Sequence, residues 1–265
     1  MKAKKYFGQY FLNSSKALEE IISGARLESS DVVLEIGPGR GVLTLKLLSQ
    51  AKKVVAVEKD RELIELLKVT FSKDIESGKM ILVEEDILDF VPENFGLHAG
   101  KYKLVANIPY YITGEILRKF IGGKTSPSLA VLLVQKEVAD RITEKDLKGS
   151  ILSVSIKVYG TPERLSLVKK GSFSPQPNVD SAVLLIDNIS KSFFNTFSEE
   201  DFFLIVKRGF SQKRKQLKNN FDEHFEENLV SKAFSTCAIP VKARAEELTL
   251  KQWRCLVEQF VVRSE

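Results

Sequence analysis

Two cysteines in 265 residues leave little material for a disulfide framework, and Cys237 and Cys255 do not form a Cys-x-x-Cys pair. With only His98 and His224 beside them, the residue types for a structural zinc site are also missing, and no metal is expected. A reducing cytoplasm is the compartment such a composition suits. No apolar run approaches the roughly 18 residues needed to cross a bilayer, so no membrane span is expected. The basic opening stretch, Met1 to Phe7, leads into neither an apolar core nor a small-residue cleavage site, which argues against a secretion signal. Internal repeats and low-complexity tracts are lacking too, and no heptad pattern suggests a coiled-coil partner, so a monomer is expected. What remains, at 43% hydrophobic residues, is a globular chain long enough for one large core, or for one core and a small appendage.

The net charge is +5, and its distribution says more than its size. Between Phe202 and Phe221 stand Lys207, Arg208, Lys213, Arg214, Lys215 and Lys218, with no acidic residue among them. Lys2, Lys4 and Lys5 form a second cluster. Such stretches suit a phosphate backbone, because each neutralised phosphate releases condensed counterions. They are equally compatible with a solvated helix face.

Apolar, β-branched runs recur along the first half of the chain: Val32 to Ile36, Val54 to Glu58, Ile81 to Glu84, Leu104 to Asn107 and Leu129 to Val134. Helix-spaced leucines and isoleucines fill the stretches between them, as in Gly41 to Gln50, Arg61 to Phe71 and Gly114 to Ile121. This alternation predicts an α/β domain whose parallel sheet is covered on both faces. Ile151 to Tyr159 is read as a helix, and Leu165 to Val168 with Ala182 to Ile186 as an antiparallel pair at the sheet edge. After Ile186 a polar connector leads to a helical composition. Ser198 with Asp201 and Thr249 with Gln252 read as helix-capping signals there. A boundary near residue 188 therefore separates residues 1–187 from a small helical domain, 188–265.

The chemistry begins at the end of the first long strand, where Glu35-Ile-Gly37-Pro-Gly39-Arg-Gly41 opens a helix. Glycines at that point let the backbone turn sharply and approach a ligand. A dinucleotide fingerprint wants its third glycine where Val42 stands, and Glu35 beside the loop would repel a pyrophosphate. A phosphate-free ligand with a positive centre fits better, and S-adenosylmethionine carries both an amino group and a sulfonium. Glu58 ends the next strand about 20 residues on, where a carboxylate can accept from both hydroxyls of a ribose. Asp86 follows the third strand, in reach of an adenine amine. Each acid alone is more often a polar strand end; three at successive strand termini converge on one crevice.

Asn107-Ile-Pro109-Tyr110-Tyr111 closes the fourth strand. Methylating an exocyclic amine requires its lone pair to be withdrawn from the ring. Hydrogen bonds from the amine to the Asn107 oxygen and to a neighbouring backbone carbonyl favour a tetrahedral nitrogen whose lone pair can attack. Pro109 stiffens the turn, and Tyr110 offers a face for the target base. Without the upstream motif, the same residues also fit an ordinary X-Pro turn with core tyrosines.

Together these motifs resemble the rRNA adenine N6-dimethyltransferases. Gly8-Gln-Tyr10-Phe-Leu12 is similar to that family's Gly-Gln-Asn-Phe-Leu, and Gln135-Lys-Glu-Val138 to its segment after the fifth strand. Phe173-Ser-Pro-Gln-Pro-Asn-Val-Asp-Ser181 resembles its proline-rich loop, and Phe210-Ser-Gln-Lys-Arg-Lys215 its basic helical segment. The resemblance implies a Rossmann-like seven-stranded methyltransferase sheet with a small C-terminal helical domain that binds RNA. It implies S-adenosylmethionine as cofactor, held at Leu12, Glu35, Gly37, Gly39, Glu58, Asp86 and Asn107. The implied substrate is two neighbouring adenines in a hairpin loop near the 3′ end of 16S rRNA, within the small ribosomal subunit, with Tyr110 and Phe173 sandwiching the flipped base. Tyr10 departs from the family's usual Asn. The branch that methylates large-subunit rRNA and a non-catalytic assembly factor on the same fold are the alternatives; a nicotinamide oxidoreductase is disfavoured by the glycine spacing.

Overall fold

β-Branched and aliphatic runs become strands where polar or glycine residues bound them, and the leucine-spaced stretches between them become helices. A computed structural model of the chain describes residues 9–144, 149–212 and 214–261. In chain order the elements are β1 (Phe11–Leu12), α1 (Ser15–Ala25), β2 (Val32–Ile36), α2 (Val42–Gln50), β3 (Lys53–Glu58), α3 (Arg61–Thr70), α4 (Ser72–Glu76) and β4 (Met80–Glu84). Then come β5 (Lys103–Asn107), α5 (Thr113–Ile121), β6 (Leu129–Gln135), α6 (Lys136–Thr143), α7 (Ile151–Lys157), β7 (Thr161–Val168), β8 (Phe173–Ser174) and β9 (Ser181–Asp187). The helices α8 (Glu199–Gly209), α9 (Leu217–Asp222), α10 (Glu227–Thr236) and α11 (Leu250–Val261) follow.

Seven of the described strands form one sheet in the order β4-β3-β2-β5-β6-β9-β7. The first five are parallel; β9 runs antiparallel to β6, and β7 antiparallel to β9. This is the α/β class expected, with the terminal pair at the edge and β7 outermost. β2 carries β3 on one side and β5 on the other, so the connections leaving it diverge. Open α/β sheets bind ligands in the crevice that such a reversal leaves beyond the carboxyl ends of the strands. The central strands are buried on both faces, as the all-buried Leu129–Val134 run shows. A separate two-stranded ribbon pairs β1 with β8, Phe11 opposite Ser174 and Leu12 opposite Phe173.

The chain divides into two compact units. The first holds the described residues through Asp140 together with Gly160–Ser190; the second holds Arg141–Tyr159 and the residues from Lys191 onward. The sequence reading places a single boundary near residue 188, but residues 141–159 also pack with the second unit. There the Gly149 N–H donates to the Glu246 carbonyl at 2.8 Å, and the Tyr159 ring meets Phe194 and Phe203. Ile151–Lys157 is the helix expected, and the Ser198 and Thr249 capping signals operate: Ser198 Oγ accepts from the Asp201 N–H, and Thr249 Oγ1 from the Gln252 N–H.

Phe202, Phe221 and Trp253 are buried in the second unit. One expectation is overturned there. Cys237, at the end of α10, and Cys255, in α11, form a disulfide across Cα atoms 5.6 Å apart. Packing of α10 on α11 brings together two residues 18 apart in sequence, which cysteine spacing alone does not reveal. No helix among the described residues is long and apolar enough to cross a membrane.

The fully buried Leu34 stands in β2 between Val55 of β3 and Leu104 of β5. Leu34→Ala is expected to lower the unfolding free energy by about 3 kcal/mol, read from urea denaturation, because the strands around it have no freedom to collapse into the gap.

Candidate active site

The glycine loop after β2 is built on left-handed backbone: φ is +64° at Gly37, +58° at Gly39 and +80° at Gly41. A Cβ on Gly37 would project into open space, one on Gly39 would press within 3.2 Å of the Phe11 ring, and one on Gly41 would collide with Phe71 at 2.4 Å. These contacts, not flexibility alone, demand glycine at the last two positions.

Glu58 holds the loop to the end of β3. Its Oε2 accepts the Gly39 N–H at 3.2 Å, and its Oε1 accepts the Lys59 and Asp60 N–H groups at 2.9 Å each. Burial raises the Glu58 carboxyl above the ordinary carboxylate range, and these three donors oppose that rise without cancelling it. Glu35 is more extreme. It is 1% exposed, and its Oε2 has no hydrogen-bond partner among the described residues. Burial pushes its carboxyl up to about 8; the adjacent Thr44 hydroxyl offsets this only partly, and the nearby Glu58 adds to it.

At Asp86, burial pushes upward, but the Lys59 ammonium at 2.6 Å from Oδ2 and the Leu88 N–H at 3.0 Å from Oδ1 hold the carboxyl below its usual range. Lys59 was not foreseen from the sequence, and it sits on the acid assigned to an adenine amine.

Asn107 ends β5 with its Nδ2 donating to the Tyr10 carbonyl at 3.0 Å. Asn107 Oδ1 is thereby the end of that amide left to accept. Pro109 starts a single turn of 3-10 helix at Tyr110–Ile112. The Tyr110 hydroxyl lies 2.6 Å from Ser181 Oγ at the start of β9, and burial pushes the phenol upward. Stacked on the Tyr110 ring is Tyr10, with centroids 5.4 Å apart and planes 25° from parallel.

Leu12, Glu35, Gly37, Gly39, Glu58, Asp86, Asn107, Pro109 and Tyr110 all line one crevice in the first unit. Phe173 does not join them: it is 5% exposed and packs in the core cluster with Leu12 and Leu18. Gln9 and Phe11, members of the motif that the resemblance implies closes over the cofactor, line the same crevice, as does Ile87, to which the sequence assigns no role. Gln9 Nε2 donates to Asp60 Oδ2 at 2.8 Å, so the Gln-Tyr-Phe-Leu segment is clipped to the end of β3. The Arg40 guanidinium lies 4.4 Å above the Phe11 ring. The signal for Gln9 and Phe11 was the motif itself; Ile87 had none beyond its place next to Asp86.

The basic stretch looks different in space. Lys215 pairs with Glu223 at 2.9 Å, and Lys218 with Asp222 at 2.9 Å and Glu227 at 3.4 Å. Arg208 lies 4.9 Å over the Phe225 ring. The stretch is free of acids in sequence but not in the fold, because α9 and α10 supply them. Lys207 and Arg214 are exposed. Lys213, Gly8 and the Lys2, Lys4 and Lys5 cluster lie outside the described residues.

A family model described as ribosomal RNA adenine dimethylase matches residues 1–261. A ribosomal RNA small subunit methyltransferase A from Dehalococcoides mccartyi is 38% identical over 98% of this chain and 89% of its own length. One from Synechococcus elongatus is 39% identical over 96% and 93%, and one from Fusobacterium nucleatum 36% over 98% and 98%. Among solved structures, the 23S rRNA methyltransferase ErmE superposes with a TM-score of 0.78 at 25% identity, covering 94% of this chain and 98% of its own. A dimethyladenosine transferase from Plasmodium falciparum gives 0.77 at 27%, covering 93% and 95%.

The buried Glu35 carboxyl makes stability depend on pH. Its folded value, about 8, lies above its ordinary 4.5, so the stabilisation by its bound proton is complete below about 4.5 and is lost as pH rises through about 8. Glu35→Gln is therefore expected to melt above the wild type at pH 9, with the gap closing toward pH 5 in thermal scans. Parallel curves across that window would show that Glu35 is not the titrating group.

Proposed function

The chain belongs to the ribosomal RNA adenine dimethylase family, and from that premise we propose that it dimethylates N6 of two adjacent adenines in a 3′-terminal hairpin loop of 16S rRNA, using S-adenosylmethionine. Relatives of 36–39% identity, named as small-subunit enzymes, support the 16S target over the large-subunit alternative. The catalytic reading rests on one observation: Asn107, with its Nδ2 held by the Tyr10 carbonyl, stands beside Tyr110 at the rim of the glycine-loop crevice. That arrangement argues against a non-catalytic assembly factor, although catalysis on an assembling subunit is compatible with it.

The residues fit the cofactor. Glu35 Oε2 is a buried acceptor without a partner, facing a crevice that a Cβ at Gly37 would enter. Leu12, Glu35, Gly37, Gly39, Glu58, Asp86 and Asn107 would hold S-adenosylmethionine, with the acids toward its amino group, ribose and adenine amine. When bound, it supplies an electrophilic methyl group on a sulfonium.

Asn107 Oδ1 accepts a hydrogen bond from the substrate amine, and a backbone carbonyl of the Asn-Ile-Pro-Tyr turn takes the second. Together they draw the nitrogen toward tetrahedral geometry and turn its lone pair toward the methyl. No base is needed before attack, since the proton leaves once the nitrogen is cationic. Pro109 fixes the turn, and Tyr110, anchored by Ser181, stacks the base. The helical domain after residue 188 is proposed to contact flanking RNA through Lys207, Arg208, Lys213, Arg214, Lys215 and Lys218, of which Lys215 and Lys218 would first have to leave their acidic partners. A cytoplasmic monomer is the state proposed.

Labelled S-adenosylmethionine should methylate undermethylated small subunits at adenine N6 and leave large-subunit RNA untouched; transfer to the latter alone would move the protein to the other branch. Asn107→Ala is expected to cut turnover on the order of a hundredfold in that assay, and full activity would remove Asn107 from the chemistry. Replacing Lys207 and Arg214 by Gln should flatten the slope of log affinity for hairpin RNA against log salt by about 1.4, at roughly 0.7 per phosphate contact. An unchanged slope would take these two residues off the RNA.

A further inference from the structure

The second unit holds a reactive pair that the proposed methyl transfer does not use. Cys237, just after α10, and Cys255, within α11, are bonded and close a ring of chain between residues 18 apart in sequence. That ring carries a support at each end of the basic turn between α8 and α9. At one end the Phe210 ring stacks on the buried Trp253 indole, centroids 5.6 Å apart and planes 22° from parallel. Gly209 lies so close to the same indole that a Cβ there would meet it at 2.5 Å. At the other end the Leu217 N–H donates to the Ala243 carbonyl at 2.8 Å. Arg214 and Lys215, both exposed, stand between these two anchors. The buried Asn220 amide ties the turn to α9, donating to the Gly209 carbonyl at 2.7 Å. Turn and α9 are thus one piece, and that piece rests on the ring.

We propose that Cys237 and Cys255 are a redox modification site, whose disulfide presents the basic turn to RNA and whose reduction slackens it. This rests on the reading of Arg214 and Lys215 as RNA contacts. In the cytoplasm proposed for this chain, thiols are kept reduced, and disulfides there for the most part form transiently, in catalysis or redox sensing. Packing of α10 on α11 places the two Cα atoms 5.6 Å apart, so the bond closes without rearranging the helices. Cys255 is half-buried and Cys237 is 7% exposed, so oxidation starts at Cys255. Its thiolate attacks a low-molecular-weight disulfide, forming a mixed disulfide and expelling one small thiolate. The Cys237 thiolate then attacks the mixed disulfide and expels the second. The protein dithiol is oxidised, the small disulfide is reduced, and the two protons pass to the released thiols.

With the bond closed, the ring restrains Trp253 and Ala243 relative to each other, and Arg214 and Lys215 meet phosphate already ordered. With the bond open, helix packing remains but the ring gains freedom, and RNA itself must supply the ordering. The test needs no variant. Wild-type protein is equilibrated with glutathione disulfide or with dithiothreitol, and the state of the pair is read by alkylation and intact mass. The oxidised form is expected to bind hairpin RNA about fivefold more tightly than the reduced form, the factor that ordering one or two side chains on binding costs. S-adenosylmethionine affinity, a property of the first unit, should be the same in both forms.

Protein carrying both Cys237→Ser and Cys255→Ser should bind the RNA as reduced wild type does and respond to neither reagent. Equal RNA affinity of the two wild-type forms would overturn the proposal. So would a pair that still alkylates fully after equilibration with excess glutathione disulfide. A purely structural disulfide raises the melting temperature of the oxidised form but leaves RNA affinity, measured well below melting, where it was; affinity therefore decides. If replacing Lys207 and Arg214 leaves the salt slope unchanged, the RNA reading fails and the presentation of the turn falls with it. A slope that does flatten, together with an affinity indifferent to redox state, sinks the redox site alone.

Discussion

The order of the strands governs where chemistry can happen in this molecule. Because β2 is flanked by β3 on one side and β5 on the other, the chain leaves the sheet in opposite directions on either side of it and cannot close over the gap. Every side chain of the candidate site is set by its distance from that gap. The glycines follow β2, Glu58 ends β3, Asp86 follows β4 and Asn107 ends β5. Hydrogen bonding between the parallel strands fixes their relative heights, so the glycine loop, Glu58, Asp86 and Asn107, spread over about seventy positions, arrive at one level.

The crevice floor combines two carboxyls whose burial works against ionisation. Glu58 is compensated by three backbone donors and serves as the joint between loop and strand, whereas Glu35 keeps an oxygen without a partner. A buried acceptor of this kind costs stability in the folded protein. A cationic ligand bearing N–H groups would relieve that cost, so on the proposed reading part of the cofactor's affinity is stored in the protein before it binds. On that reading, neighbouring acids divide between architecture and recognition.

Much of this was legible in the sequence, for identifiable reasons. Alternating apolar runs and helix-spaced leucines specify the sheet and its covering, and the motif residues fall at strand ends because periodicity locates those ends. What stayed hidden depends on partners distant in the chain. Lys59 reaches Asp86 only because β3 and β4 are neighbours. The cations of the basic stretch meet Asp222, Glu223 and Glu227 only once α9 and α10 have folded back. The bond between Cys237 and Cys255 requires the packing of α10 on α11, and the membership of residues 141–159 in the second unit rests on contacts to residues beyond 190. Phe173 is part of a recognisable loop, yet whether its ring faces solvent or core is decided by β1, more than 160 residues earlier.

The ribbon of β1 and β8 is short, two residues on each strand, yet it joins the segment that reaches the glycine loop to the loop that carries Phe173. The Asn13 N–H extends it by one bond to the Ser172 carbonyl at 2.8 Å. So brief a pairing has little stability of its own and depends on what lies on either side of it. If a ligand on one side orders the ribbon, a ligand on the other has less ordering left to supply, and by thermodynamic reciprocity the effect is equal in both directions. On the proposed reading, cofactor and RNA would then raise each other's affinity by the same factor, coupled through four residues of backbone as well as through the Asn107 side chain they share.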